Sequence, residues 1–126
     1  MALVNSGRNF LAEAVMNDST PTFFDNGNAY LGVGTGSGAV AATDTQATFT
    51  AGVWKGMEAT YPQRTDNVLT FRASFGAGDA NQAWNEWGIA NAASGGQLLC
   101  RKVENQGTKS GGTWVFTVTV PIGIGS

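Results

Sequence analysis

The chain has 126 residues, a mass of 13.1 kDa, a formal net charge of −2 and a pI near 4.8. That length fits one domain, and a composition of 42% hydrophobic, 10% aromatic and 13% charged residues excludes a highly charged disordered tail. The charged fraction falls well below the roughly 25% of ordinary soluble domains, which points to a surface partly covered by a partner.

One stretch reads as a helix. Ser6 is a candidate N-cap, with Asn5 as its rival. Phe10, Leu11, Ala14 and Val15 then form one apolar stripe at helical spacing. The cluster Asn17-Asp18-Ser19-Thr20-Pro21 stops it, because the residue before proline avoids helical geometry. A helix of about three turns is marginal alone and must pack on something.

Strands and turns are expected over the rest. Residues 29–33 read as a short strand running into Gly32-Val33-Gly34-Thr35-Gly36-Ser37-Gly38. Residues 39–51 read as a loop with an irregular strand, and 53–61 as a strand. Pro62 and Thr65-Asp66-Asn67 signal turns. Leu69, Phe71, Ala73 and Phe75 alternate with polar residues over 68–75. Residues 84–91 and 97–103 read as strands around the turn Ser94-Gly95-Gly96, and strand geometry predicts that Trp84 and Trp87 point to opposite faces. The last segment carries the clearest pattern, with Trp114, Phe116, Val118, Val120 and Ile122 at period two. Burying five such side chains is worth on the order of 1.5–3 kcal/mol each, so this strand is expected at the centre of the core. Pro121 then falls near its end, where a missing N–H is tolerated.

These elements predict a mainly β fold: a single β-sandwich or small β-barrel, jelly-roll or tulip-like, with one short N-terminal helix. One domain is expected over 1–126, with a helical N-terminal segment at 1–20 and strands over 29–122. No βαβ alternation is present, which argues against a doubly wound sheet.

No constellation assembles an active site. Histidine is absent, which excludes Ser-His-Asp and Cys-His catalysis and histidine-ligated metals. The Gly32–Gly38 run lacks the lysine of a P-loop and opens no helical stripe, so it reads as a strand-to-loop turn. Glu86 lies between Trp84 and Trp87, where an apolar setting favours an acid catalyst. Pairing with Arg72, Arg101 or a backbone group is the stronger expectation. Asp25-Asn26-Gly27-Asn28 reads as a turn, since it lacks the remaining ligands of a calcium loop. Cys100 cannot form an intrachain disulfide and reads as a buried thiol. Trp54, Trp84, Trp87 and Trp114 read as core or interface residues, with sugar stacking as the weaker alternative. The scattered basic residues give no footprint for nucleic acid. No run approaches the ~18–20 apolar residues of a membrane span, and the N-terminus lacks the order of a secretion signal. A soluble protein made in a cytoplasm is expected, with no cofactor, metal or catalytic residue.

The ordered set of segments carries a resemblance. Leu3-Val4-Asn5-Ser6-Gly7-Arg8-Asn9-Phe10-Leu11 and Ala29-Tyr30-Leu31-Gly32-Val33-Gly34-Thr35-Gly36 come first. Lys55-Gly56-Met57-Glu58-Ala59-Thr60-Tyr61-Pro62-Gln63-Arg64 and Trp84-Asn85-Glu86-Trp87-Gly88-Ile89 follow. Gly96-Gln97-Leu98-Leu99-Cys100-Arg101-Lys102, Thr108-Lys109 and the strand from Trp114 to Val120 complete it. Over most of the chain this order resembles small virion proteins of tailed bacteriophages, described as capsid decoration (cement) proteins or as tail-fibre-like proteins. The resemblance implies a capsid decoration protein that binds the outer capsid lattice and stabilises junctions between major capsid proteins. A tail-fibre, tail or baseplate component, possible host-surface binding included, is the alternative. The implied partners are the major capsid protein and further copies of the chain, as a homotrimer, with no nucleic acid and no membrane. The implied location is the outer surface of the virion, after synthesis in the host bacterial cytoplasm. Leu3, Val4, Arg8, Phe10, Trp54, Lys55 and Met57 are candidate contact residues, chosen on expected exposure. Packing of the helix on the domain's own sheet is an equal expectation.

Overall fold

The period-two pattern of 68–75 and of the C-terminal segment becomes the two longest strands. The computed structural model describes residues 2–123; Met1 and residues 124–126 of the expected domain lie outside the described residues. In chain order the elements are β1 (Ala2–Leu3), α1 (Asn5–Met16), β2 (Tyr30–Gly34), β3 (Val53–Gly56), β4 (Gln63–Thr65), β5 (Val68–Phe75), β6 (Glu86–Ala90), β7 (Leu98–Val103) and β8 (Trp114–Pro121). The larger sheet runs β1-β7-β6-β2-β3 and the smaller β4-β5-β8, with every neighbouring pair antiparallel. Neither sheet closes on itself. The fold is a small β-sandwich with one N-terminal helix, and the barrel alternative falls away.

Residues paired across an antiparallel ladder share a face. Leu31 pairs with Ile89, and Ile89 with Cys100, so these side chains point one way. They meet Phe71, Ala73, Phe75, Val118 and Val120 of the smaller sheet to make the main core. Trp84 joins it through edge-on contacts with Phe75, Trp114 and Phe116 at centroid distances of 4.8, 4.9 and 5.5 Å. Trp84 and Trp87 therefore both serve the core, contrary to the expected opposition. The regular strand begins only at Glu86, so simple alternation does not reach back to Trp84.

The opposite face of the larger sheet carries a third layer, the segment 35–52. Phe49 packs there with Val4, Ala90 and Leu98, and Trp54 lies against them. The face beneath is lined with glycine because the layer lies so close. A Cβ on Gly34 would sit 2.5 Å from Glu86 Oε2, and one on Gly32 would strike the Trp54 ring. The Gly32–Gly38 run thus serves close approach as well as turning.

Several local expectations are corrected. Val4, not Ser6 or Asn5, occupies the N-cap, and no side chain caps α1. Ser6 instead donates from its hydroxyl to the Leu98 carbonyl at 2.7 Å, tying the helix to β7. Val15 stands 87% exposed, because α1 is anchored by its first turns and its C-terminal end overhangs the sheet. Residues 39–51 hold a short 3-10 turn at Gln46–Thr48 and no strand. The strand expected over 53–61 ends at Gly56, and β4 occupies part of the expected turn. β8 sends Val118 and Val120 into the main core, with Trp114, Phe116 and Ile122 packed against it, and among the described residues it is an edge strand paired with β5.

The docking of α1 makes a signed prediction. Gly7 rests directly on the Leu99 carbonyl of β7, where an added Cβ has no room. In a free helix Gly→Ala stabilises by about 1 kcal/mol. Here Gly7→Ala is expected to lower stability instead, by roughly the 1–3 kcal/mol of an overpacked contact. A fall in the urea midpoint checks the sign.

Candidate functional site

The chain's buried charges decide what chemistry is free. Glu86 is 1% exposed and Arg101 2%. Register places Glu86 opposite Val103 and Arg101 opposite Gly88, so both side chains point to the 35–52 layer. Glu86 Oε1 accepts from Arg101 Nε at 2.9 Å and lies 2.8 Å from Nη2. Oε2 accepts the backbone N–H groups of Gly36 at 2.7 Å and Thr50 at 2.9 Å. Arg101 Nη1 reaches Asp44 Oδ2 at 3.0 Å, and Nη2 donates to the Gly38 carbonyl at 3.1 Å. Asp44 Oδ2 also accepts the Ala41 N–H at 2.9 Å. One guanidinium thus bridges two carboxylates and pins the loop from both ends. Both oxygens of Glu86 are occupied from within the chain, so it is a structural anchor in this arrangement. Of the three expected partners, Arg101 and backbone groups hold it. Arg72 instead donates to Thr117 Oγ1 at 3.0 Å and stacks over the Tyr61 ring.

Other polar groups are also turned inward. Lys109 is 1% exposed; its ammonium donates to the Gly76 carbonyl at 2.6 Å and to Asn81 Oδ1 at 3.0 Å, joining the 76–81 turn to the 107–112 loop. Thr108-Lys109 stands in the sequence only as part of the resemblance, and a lone lysine in a glycine-rich loop carries no signal of burial. Asp79 accepts from Lys55 Nζ at 3.1 Å, and this bond holds its carboxyl below the usual range. Cys100 is buried as expected, and burial pushes its thiol up to about 12, so it is unreactive at neutral pH. In the 25–28 turn, Asn26 donates to the Glu58 and Tyr61 carbonyls and Asp25 accepts the Asn28 N–H. Among the described residues no group of three or more His, Cys, Asp or Glu is placed to hold a metal, and no helix is long and apolar enough to cross a membrane.

The candidate contact residues divide. Val4 is fully buried and Phe10 is 7% exposed, packed edge-on against Phe24 at 4.7 Å, so these two side chains belong to the chain's own core. The reason is that α1 docks on the domain's own sheet, through Ser6 and Gly7 on β7. Leu3 pairs with Cys100 and is partly buried, as is Met57. Trp54 is half-buried, 4.9 Å from the Phe49 ring. Lys55 keeps part of its side chain in solvent beside Asp79, and Arg8 is exposed.

An open concavity lies elsewhere, beside β8. It is a cleft of about 400 Å³ lined by Trp87, Lys102, Glu104, Gln106 and residues 116–119 and 121. Lys102 and Glu104 pair with each other along one wall at 2.9 Å, which holds the Glu104 carboxyl below its ordinary range. Trp87 Nε1 is buried there beside the Glu104 carboxyl and helps to lower it, though no hydrogen bond of good geometry joins them. Trp114 and Phe116 are half-buried beside it.

Comparison with protein-family models finds no model that matches this chain, and comparison with curated proteins finds no matching relative. The class is therefore defined by the fold alone: a β-sandwich of a five-stranded and a three-stranded sheet, with its buried charges used internally.

Proposed function

We propose that this chain is a non-catalytic structural protein of a tailed-bacteriophage virion, specifically a decoration protein on the outer capsid lattice. It binds the major capsid protein and stabilises junctions between its copies. The sequence resemblance supplies the family, and one structural observation supports a binding role over a chemical one. The buried carboxylates and cations are bonded within the chain, whereas an uncharged strand edge and a neutral cleft stay open. A clamp of this kind needs rigidity and contact surface. A modest area buried per copy, repeated over a lattice, stabilises a shell without turnover. The absence of histidine and of a disulfide fits assembly in a bacterial cytoplasm. The homotrimer implied by the resemblance is part of this reading.

The test is gold labelling of intact virions with antibody raised against the chain, viewed by electron microscopy. Label over the whole head is expected. Label confined to the tail tip or fibres overturns decoration in favour of a tail, fibre or baseplate role. Virions without label and without the chain by mass spectrometry overturn the virion assignment altogether.

A further inference from the structure

We infer that the cleft beside β8 is a slot for one added β-strand, filled by an extended, uncharged segment of another polypeptide. The first observation is the state of the β8 edge. The Ile122 N–H donates to the Asn67 carbonyl at 2.8 Å, one position beyond the Val68–Pro121 pair. In an antiparallel ladder alternate residues bond to the same neighbour. The even-numbered residues of β8 therefore bond to β5, and Val115, Thr117 and Thr119 turn their N–H and C=O groups to the free edge. Pro121 falls on the outward side too, where its missing N–H costs no bond to β5.

Native edges are usually blunted by lysines, bulges or covering loops. β8 is eight residues long and carries no charge, and none of its described pairings is on this side. Proline blunts it at its last residue alone.

The second observation is the shape behind that edge. β5 packs over β2 and β3, and Phe116 of β8 meets Trp84 and Trp87. The smaller sheet thus ends above β6, while β7 and β1 continue beyond it. Cys100 is buried in the core and Leu3 packs against it. At the Lys102 end the overhanging face is open, and that opening is the cleft. A strand hydrogen-bonded to β8 sits about 4.8 Å further out, over β7. One strand fits there. A second whole sandwich joined through β8 would drive its own β7 and β1 into the first.

The third observation selects the occupant's chemistry. Lys102 and Glu104 neutralise each other, so the far wall attracts neither sign of charge. The floor is Trp87, Phe116 and Val118, which suits apolar side chains at alternate positions. Trp87 Nε1 is buried and lies beside the Glu104 carboxyl, so the floor offers apolar surface and the β8 edge supplies the hydrogen bonds. Main-chain bonds from β8 give affinity and the floor gives selectivity, as in strand addition generally. That the donor is another virion protein rests on the proposed function; the slot does not.

The probe is a short blocked peptide alternating valine with serine and threonine, added to the full ¹⁵N-labelled chain. Amide exchange at Val115, Thr117 and Thr119 is expected to slow by about tenfold or more at saturation, since these amides are otherwise open to water. The Trp87 indole resonance is expected to shift with them. The same peptide N-methylated on the residues facing β8 is expected to lose both effects. In the chain, Thr119→Pro removes an outward N–H and is expected to weaken the peptide by about tenfold while sparing the bonds to β5. If that variant does not fold, the N-methylated peptide makes the same comparison. Unprotected edge amides at millimolar peptide overturn the inference, and so does protection that survives N-methylation. A neutral oligosaccharide that shifts Trp114 and Trp87 where the peptide does not also overturns it, in favour of sugar binding. Failure here leaves the gold-labelling result untouched, and the reverse also holds.

Discussion

Arg101→Met is expected to destabilise the chain by about 3–5 kcal/mol, the cost of leaving buried carboxylates without their cation. That is a large share of a stability of roughly 5–15 kcal/mol. Methionine keeps much of the arginine stem's volume, so the loss reports charge and hydrogen bonding more than a cavity. Glu86 Oε2 keeps its two backbone donors, but Oε1 loses both guanidinium contacts. Asp44 keeps only the Ala41 N–H, and the Gly38 carbonyl loses its donor. The 35–52 layer should therefore loosen first. Chemical denaturation reads the total, and proteinase K cutting within 37–43 reads the layer. Adding Glu86→Gln to Arg101→Met should recover part of the loss, because one unpaired charge is then removed. An Arg101→Met chain as stable and as protease-resistant as its parent would show that the network anchors nothing.

Gly88→Ala is expected to have the next largest effect. Alanine in a strand ordinarily gains roughly 0.5–1 kcal/mol over glycine through the unfolded chain. Here the added Cβ would lie 2.6 Å from the Cys100 carbonyl oxygen and 2.7 Å from Phe49 Cζ. The first is backbone of β7 and cannot yield without breaking the β6–β7 ladder. The second is held between the sheet and the Arg101 guanidinium, 5.6 Å from its ring centroid. Overpacking of this kind costs about 1–3 kcal/mol, and a contact closed on both sides belongs at the upper end. A thermal melt measures it. Because Phe49 and Arg101 both meet this position, Gly88→Ala and Arg101→Met should be non-additive.

Much of the secondary structure was legible in the residues, for definite reasons. β5 and β8 announce themselves because one face of each is apolar and the other solvated, and side-chain alternation records that difference. The helix is legible from its stripe and its stop at Asn17, which closes α1 in the left-handed region at φ 50°. β1 and β4 leave no pattern: they span two and three residues, shorter than any periodicity. β6 is buried on every residue, so it shows no alternation, and strand geometry alone misassigned Trp84 beside it.

The candidate site was less legible. That Glu86 needs a partner followed from its position between tryptophans, and Arg101 was among those weighed. Asp44, more than forty residues upstream of Glu86 in sequence, carried no signal, because folding the 35–52 layer over the sheet is what brings it to Arg101. Val4 and Phe10 are buried rather than exposed, and their sequence does not show it, because an apolar side chain next to a terminus looks the same whether it meets a partner or its own sheet. The open edge of β8 was hidden altogether. Its sequence reads as core, since half its side chains are core.

Composition and alternation by themselves determined that this chain makes a weakly charged β-domain without histidine chemistry. They record which side chains must leave water, and that is a local property of each strand. Which strand stands at an edge, which carboxylate meets which guanidinium, and where one sheet overhangs the other were decided only by the tertiary structure. Those are pairings between distant segments, set by strand order, and period two is the same for a central strand and an edge.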